Sequence, residues 1–220
     1  MKPLLAGLHI LFTAGPTQEP IDPVRYLTNR SSGRMGYALA EIAAHWGATV
    51  TLVSGPTALQ PPAGVSLIAV RTAQEMHDQV MAHLPSQHIV VGAAAVADYT
   101  PRAVATQKLK KQSCEMTLVL QRTPDIIAEV AAQGTAFVVG FAAETHDVVA
   151  YAASKLAAKK LDMIIANDVS TADIGFDVND NAVTILWPQG RYDVPRQSKQ
   201  KIAEHILQKV KERYETIHPS

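Results

Sequence analysis

Short apolar runs alternate with helix-length segments along this chain, and that alternation leaves few folds open to it. Residues 8–14 (LHILFTA) end at Gly15-Pro16 and are apolar throughout, the pattern of a strand buried on both faces. Similar runs at 49–53, 65–70, 88–92, 136–141 and 162–166 read as further strands. Between them lie helical patterns. Ser31-Ser32-Gly33 opens one that carries Met35, Leu39, Ile42, Ala43 and Trp46 and stops at Gly47. Others cover 72–84 with Thr72 as cap, a stretch from Pro124 as first helical residue to about Ala132, and 147–160. A hairpin over 182–186 and 192–194, turning at Pro188-Gln189-Gly190, and a helix over 198–214 close the chain. Strands separated by helices predict an α/β fold, a Rossmann-like and mainly parallel sheet with helices on both faces. Residues 1–220 read as a single domain with a small flap at about 100–121 and no internal repeat or linker.

Composition narrows the function. Twenty Lys+Arg against twenty Asp+Glu give a net charge of +0, so nothing draws the whole surface to nucleic acid or an anionic membrane. Any anion site must be built locally. The single cysteine, Cys114, excludes an internal disulfide and a cysteine-based zinc cluster, and is expected to be a small packed residue in a cytoplasmic protein. Eight histidines show no H-x-x-x-H or H-E-x-x-H spacing, so no protein-only metal site is expected. No apolar run reaches membrane-spanning length. The opening Met1-Lys2-Pro3 and apolar stretch to Ala14 reads as a buried strand rather than a secretory leader, because His9 interrupts it and no small-x-small site follows.

In a parallel sheet, ligands bind beyond the carboxyl ends of the strands. Gly15–Gly33, Ala93–Lys111, Phe141–Thr145 and Asn167–Asn181 all follow strands and are expected to share one rim. The first segment offers hydroxyls and backbone amides at a helix start, which suits a phosphate or carboxylate but equally a capped surface turn. It is neither a G-x-G-x-x-G turn nor a Walker loop, and the second strand ends Val53-Ser54-Gly55 without a ribose-binding acid. Ala93–Ala97 could admit a flat ring against the backbone, with Asp98 accepting from a base or ribose, or could merely pack under a helix. Lys108, Lys110 and Lys111 lie in a loop able to swing over an anion. Lys155 and Lys159 are i,i+4 neighbours beside Lys160. Two such clusters match a triphosphate, or else form a solvated face.

Taken together, TAGPTQEPIDPVRYLTNRSSGRMG, AAAVADY, KLKK, TPDI, GFAAET and ASKLAAKKLDMIIANDVS closely resemble, in order and spacing, phosphopantothenoylcysteine synthetase of the bacterial type, over about residues 8–195. The resemblance implies a phosphopantothenate–cysteine ligase of coenzyme A biosynthesis. The carboxylate of 4′-phosphopantothenate attacks the α-phosphorus of CTP, pyrophosphate leaves, and the amine of L-cysteine displaces CMP from the acyl-cytidylate. It implies Mg²⁺ with CTP, a homodimer, and a decarboxylase partner, fused or separate. The decarboxylase's flavin site and catalytic residues are not in this sequence, and PLLAGLHI resembles a fusion junction.

Carried onto this chain, the resemblance makes Asn29 the catalytic asparagine and Lys108 the flap lysine. Gly92, Asp98, Lys108, Pro124, Asp125, Ile126, Ile127, Phe141, Lys155 and Lys159 become nucleotide-binding. Phe141 and the 93–95 backbone are expected near cytosine, and Lys155 and Lys159 near phosphates. Charge and position alone put Arg25 and Arg30 at the 4′-phosphate. Arg34 stands where a lysine is common in the family. Two other classes remain as alternatives: a nicotinamide- or flavin-dependent oxidoreductase, disfavoured by the missing fingerprint and ribose acid, and a non-catalytic nucleotide-binding module.

Overall fold

A computed structural model describes residues 3–110, 114–144, 146–168 and 180–219. In chain order the elements are β1 (His9–Ala14), β2 (Gln18–Pro20), β3 (Tyr26–Thr28), α1 (Arg34–His45), β4 (Thr49–Ser54), β5 (Val65–Ala69), α2 (Ala73–His83), β6 (Ile89–Gly92), β7 (Tyr99–Pro101), β8 (Leu120–Arg122), α3 (Ile126–Gln133), β9 (Phe137–Glu144), α4 (Val148–Ala158), β10 (Met163–Asp168), β11 (Asp180–Trp187), β12 (Gly190–Ser198) and α5 (Lys199–Ile217). Eight strands form one sheet in the order β12-β11-β10-β9-β6-β1-β4-β5. The six from β10 to β5 run parallel, and β11 and β12 add an antiparallel edge.

Two buried layers sandwich the sheet. Phe12, Val91, Val139 and Ile165 face one way, against α1 and α5. Leu11, Val90, Val138 and Ile164 face the other way, against α2, α3 and α4. Alternation along each strand explains the division, and burial on both sides explains why the strands read as continuous apolar runs. From β1 the chain first adds strands on one side, β4 and β5, and then on the other, β6, β9 and β10. The strand order therefore reverses between β1 and β6, and a crevice opens at their carboxyl ends.

Several local expectations change. The proline-rich stretch 16–28 forms a small hairpin, β2 against β3, with strands too short to register as a pattern. Helix α3 begins at Ile126. Asp125 is its cap, accepting from the Ala128 amide at 3.2 Å, and Pro124 lies before it, because an aspartate at the cap satisfies an otherwise orphaned donor. Within the flap expected at about 100–121, a short ladder joins Leu120–Arg122 to Tyr99–Pro101. Cys114 is exposed, not packed, since it stands on this flap. The closing hairpin is longer than expected and its strands meet at the Pro188-Gln189 turn. Lys111, Thr145 and 169–179 lie outside the described residues.

Close backbone approach shapes the crevice. A Cβ on Gly55 would stand 1.8 Å from the Pro16 carbonyl oxygen, so only glycine lets the β4 exit cross the β1 exit. Gly55→Ala is expected to destabilise the protein by about 1–3 kcal/mol, since backbone rather than a flexible side chain must yield. Paired thermal or urea melts check this. An unchanged midpoint would show that the crossing can relax.

Candidate functional site

Two loops leave the crevice and are stitched to each other. The Ala95 amide donates to the Gly15 carbonyl at 2.9 Å and the Ala93 amide to the Thr13 carbonyl at 3.2 Å. Two buried threonines in the apolar β1 region complete the seam. Thr13 Oγ1 accepts from the Ala94 amide and Thr17 Oγ1 from the Ala97 amide, at 3.2 and 3.0 Å. The alanine loop thus spends its backbone groups on the seam and presents small side chains outward. Asn29, just after β3, donates from Nδ2 to the Val96 carbonyl at 3.0 Å, which orients its amide over that loop.

Two cavities flank this seam. The first, about 560 Å³, is lined by Gly92, Asp98, Pro124, Asp125, Ile126, Ile127, Phe141, Lys155 and Lys159, with Tyr99 and Arg122 from the flap. Its floor is the facing pair Gly92 and Gly140 of β6 and β9. Ile127 lies so close that a Cβ on Gly92 would meet its Cδ1 at 2.3 Å. The second cavity, about 370 Å³, holds Asn29, Arg30, Arg34, Asn167 and Lys199, and shares Ala94, Ala95 and Phe141 with the first. Both volumes suit small-molecule sites. Phe141 lies between them.

The two cavities differ in charge. In the first, Lys159 pairs with Asp125 at 2.8 Å, so cations and acids mix. The second is lined by Arg30, Arg34 and Lys199 with no aspartate or glutamate among the described residues. It also contains the buried Oδ1 of Asn167, which has no hydrogen-bond partner among the described residues. Sequence reasoning placed Asn167 on the ligand rim without giving it a role, and did not single out Lys199. Burial is invisible in sequence, although a lysine directly after the Ser198 cap, where the helix dipole disfavours a cation, was a legible signal.

Of the residues expected at the site, Lys108 and Arg25 line neither cavity. Lys108 is exposed on the flap, and the next residue is clamped. The Leu109 amide donates to Asp22 Oδ2 at 3.1 Å, and Arg25 Nη2 donates to the Leu109 carbonyl at 2.6 Å. Arg25 also forms a two-pronged pair with Asp22, through Nε at 3.0 Å and Nη2 at 2.6 Å. Burial opposes ionisation of Asp22, yet hydrogen bonds from the Val24 amide, the Arg25 side chain and the Leu109 and Arg25 amides hold its carboxyl well below the usual range.

That depressed value has a signed consequence. A carboxylate favoured in the folded state adds stability above its unfolded pKa of about 3.9, and the gain disappears as pH falls towards the folded value. Wild type is expected to exceed Asp22→Asn in stability near neutrality, with the gap closing in acid. Hydrogen exchange at the Leu109 amide should also quicken in the variant. Equal exchange at pH 7 would show that the flap is held elsewhere.

Fold and site together define a doubly wound α/β protein with two adjoining cavities at the topological switch point of its sheet. The family described as "DNA/pantothenate metabolism flavoprotein C-terminal domain" matches residues 5–214, and the chain belongs to it. It is 54% identical over 213 residues to the coenzyme A biosynthesis bifunctional protein CoaBC of Vibrio parahaemolyticus, covering 95% of this chain and 53% of that one. Against the protein of the same name from Escherichia coli K12 the identity is 46%, covering 96% and 53%. The chain spans about half the length of the curated relatives it matches. A crystal structure of the C-terminal domain of CoaBC superposes with a TM-score of 0.84 at 41% identity, covering 97% of this chain and 99% of that one. Among the described residues, no helix is long and apolar enough to cross a membrane.

Proposed function

We propose that this chain is a cytoplasmic phosphopantothenate–cysteine ligase domain that uses CTP to activate 4′-phosphopantothenate as an acyl-cytidylate and then couples it to L-cysteine. One observation carries the reading. Two adjoining cavities share the Ala94-Ala95-Phe141 wall, with the residues expected to meet the nucleotide, all but Lys108, lining one and Asn29 the other. A nucleotide and an acid bound on either side of that wall would meet beside the Asn29 amide. In the first half-reaction a carboxylate oxygen bonds to the α-phosphorus and pyrophosphate departs. In the second, the cysteine nitrogen bonds to the acyl carbon, the carbon–oxygen bond to phosphate breaks, CMP keeps the electron pair, and the nitrogen's proton goes to water. No protein nucleophile is needed. Positioning and fixed dipoles supply the catalysis.

Asn29 would donate to the oxyanion formed when cysteine attacks, and Lys108 would close with the flap over the intermediate. Phe141 would face cytosine, while Lys155 and Lys159 would meet phosphates. Among the described residues no group of three or more histidine, cysteine or acidic side chains could cage a metal. Mg²⁺ would then arrive on the triphosphate and offset its charge, while Asp98 would accept from the base or ribose. Arg30 serves the 4′-phosphate from within the chain. Arg25, 38% exposed in its side chain, would reach it only across a subunit boundary. Tyr26, Tyr99, Val104, Met116, Val119 and Leu120 are exposed on the two small hairpins and the flap, and we assign this apolar band to a homodimer contact. Leu120→Glu should shift sedimentation towards monomer; an unchanged profile would place the contact elsewhere. A phosphopantothenoylcysteine decarboxylase, fused or separate, would take the product.

The test is direct. Protein incubated with phosphopantothenate, cysteine, Mg²⁺ and CTP should release pyrophosphate and cysteine-dependent CMP. No such CMP at saturating substrates rejects the ligase. Running CTP against ATP in one assay decides the nucleotide.

A further inference from the structure

Arg122 and Asp98 line the first cavity together without pairing. The backbone sets them side by side. Arg122 stands opposite Tyr99 in the β7–β8 ladder, and the Thr123 amide donates to the Asp98 carbonyl at 3.1 Å. Neither side chain forms a hydrogen bond or ion pair with another described residue. Elsewhere in this chain cations close on the acids beside them, Arg25 on Asp22 at 2.6 Å and Lys159 on Asp125 at 2.8 Å. A guanidinium and a carboxylate left open in one cavity offer a ligand donors and an acceptor together. Arg122 also stands on a fixed base. Thr123 Oγ1 donates to the Ala97 carbonyl at 2.6 Å, and the Ala97 amide is tied in turn to Thr17 Oγ1 at 3.0 Å. The residue therefore sits where the flap returns to the seam, whereas Lys108 lies out on the flap and lines neither cavity.

We propose that Arg122 is a phosphate-binding residue of the first cavity, its guanidinium fork taking phosphate oxygens of the nucleotide while Asp98 accepts from the ribose or base. The inference rests on the ligase reading for the nucleotide being CTP but not for the phosphate chemistry. A lysine meets a phosphate as a point charge, whereas the planar guanidinium adds two parallel N–H donors that match two phosphate oxygens. Arg122 thus supplies orientation that Lys155 and Lys159 do not. Two phosphates carry that chemistry in the proposed reaction: the one that stays on the nucleoside as CMP, and the pyrophosphate that departs.

Arg122→Gln and Arg122→Lys test this by calorimetric titration of the whole chain, which needs no turnover. CTP affinity should fall by about tenfold in Arg122→Gln and recover in part in Arg122→Lys, while cytidine, which has no phosphate, binds all three proteins alike. If the retained phosphate is the ligand, CMP weakens by the same factor as CTP. If the leaving group is the ligand, CMP holds and inorganic pyrophosphate weakens instead. Either pattern supports the phosphate role. Equal CTP affinity in the three proteins overturns it and leaves Arg122 a solvated arginine at the cavity mouth. So does a loss of cytidine affinity as large as the loss for CTP, which would make Arg122 a contact to the nucleoside or a support of the fold. Should wild type bind CTP through Arg122 yet never release cysteine-dependent CMP, the ligase reading fails and the phosphate contact stands.

Discussion

Asn29→Asp is expected to lower cysteine-dependent CMP release by about a hundredfold to a thousandfold, the usual cost of losing one oxyanion donor, while CTP still binds and pyrophosphate is still released once. The amide is aimed by its Nδ2 bond to the Val96 carbonyl at 3.0 Å. A carboxylate cannot donate there. It would set an anionic oxygen against that carbonyl and add charge beside an intermediate that is already anionic. The acyl-cytidylate should accumulate, which rapid quenching and mass spectrometry would detect. Wild-type turnover would mean that the amide faces no reacting atom.

Lys155→Gln should weaken CTP by about tenfold to a hundredfold, the range expected for one charge-assisted contact. Lys159→Gln should weaken it as well. In the free protein Lys159 is held by Asp125 at 2.8 Å, so a phosphate must displace that carboxylate to reach it. Asp125 also caps α3, which ties the rearrangement to the start of that helix. Calorimetry at two salt concentrations would measure both variants. The wild-type salt dependence should flatten in both variants, because each removes a charge that salt screens. Equal affinities across all three proteins would remove phosphates from the first cavity.

Legibility followed range. Most of the parallel strands were readable because burial on both faces makes each a continuous apolar run, visible within a few residues. At the sheet edge, β5 has no fully buried residue and was readable by its apolar, β-branched composition. The helices carried caps and apolar spacing, such as Thr72 with Glu75. The ladder of three residues at Gln18–Pro20 was not readable, since its partner, Tyr26–Thr28, pairs across prolines without an alternating pattern. Cys114 was expected to pack even though it falls inside the flap expected at about 100–121, and its exposure follows from that position rather than from its apolar character. Most residues expected to bind the nucleotide do line one cavity, from Gly92 to Lys159. What charge alone did not reveal about Arg25 is that its guanidinium bonds to Asp22 and to the Leu109 carbonyl, 84 residues away, and lines neither cavity of its own chain.

The order of apolar and polar segments, set by local sterics and by hydrophobic burial, was enough to determine a parallel sheet with its polar loops at one end, and the motifs in those loops were enough to determine the family. Where charge gathers was decided only by tertiary structure. Arg30, Arg34 and Lys199 are separated by up to 169 positions and become one cationic cavity because α1 and α5 pack on the same face of the sheet. Electrostatic potential depends on distance through space and on the water excluded along the way, and neither is encoded by neighbours in the chain.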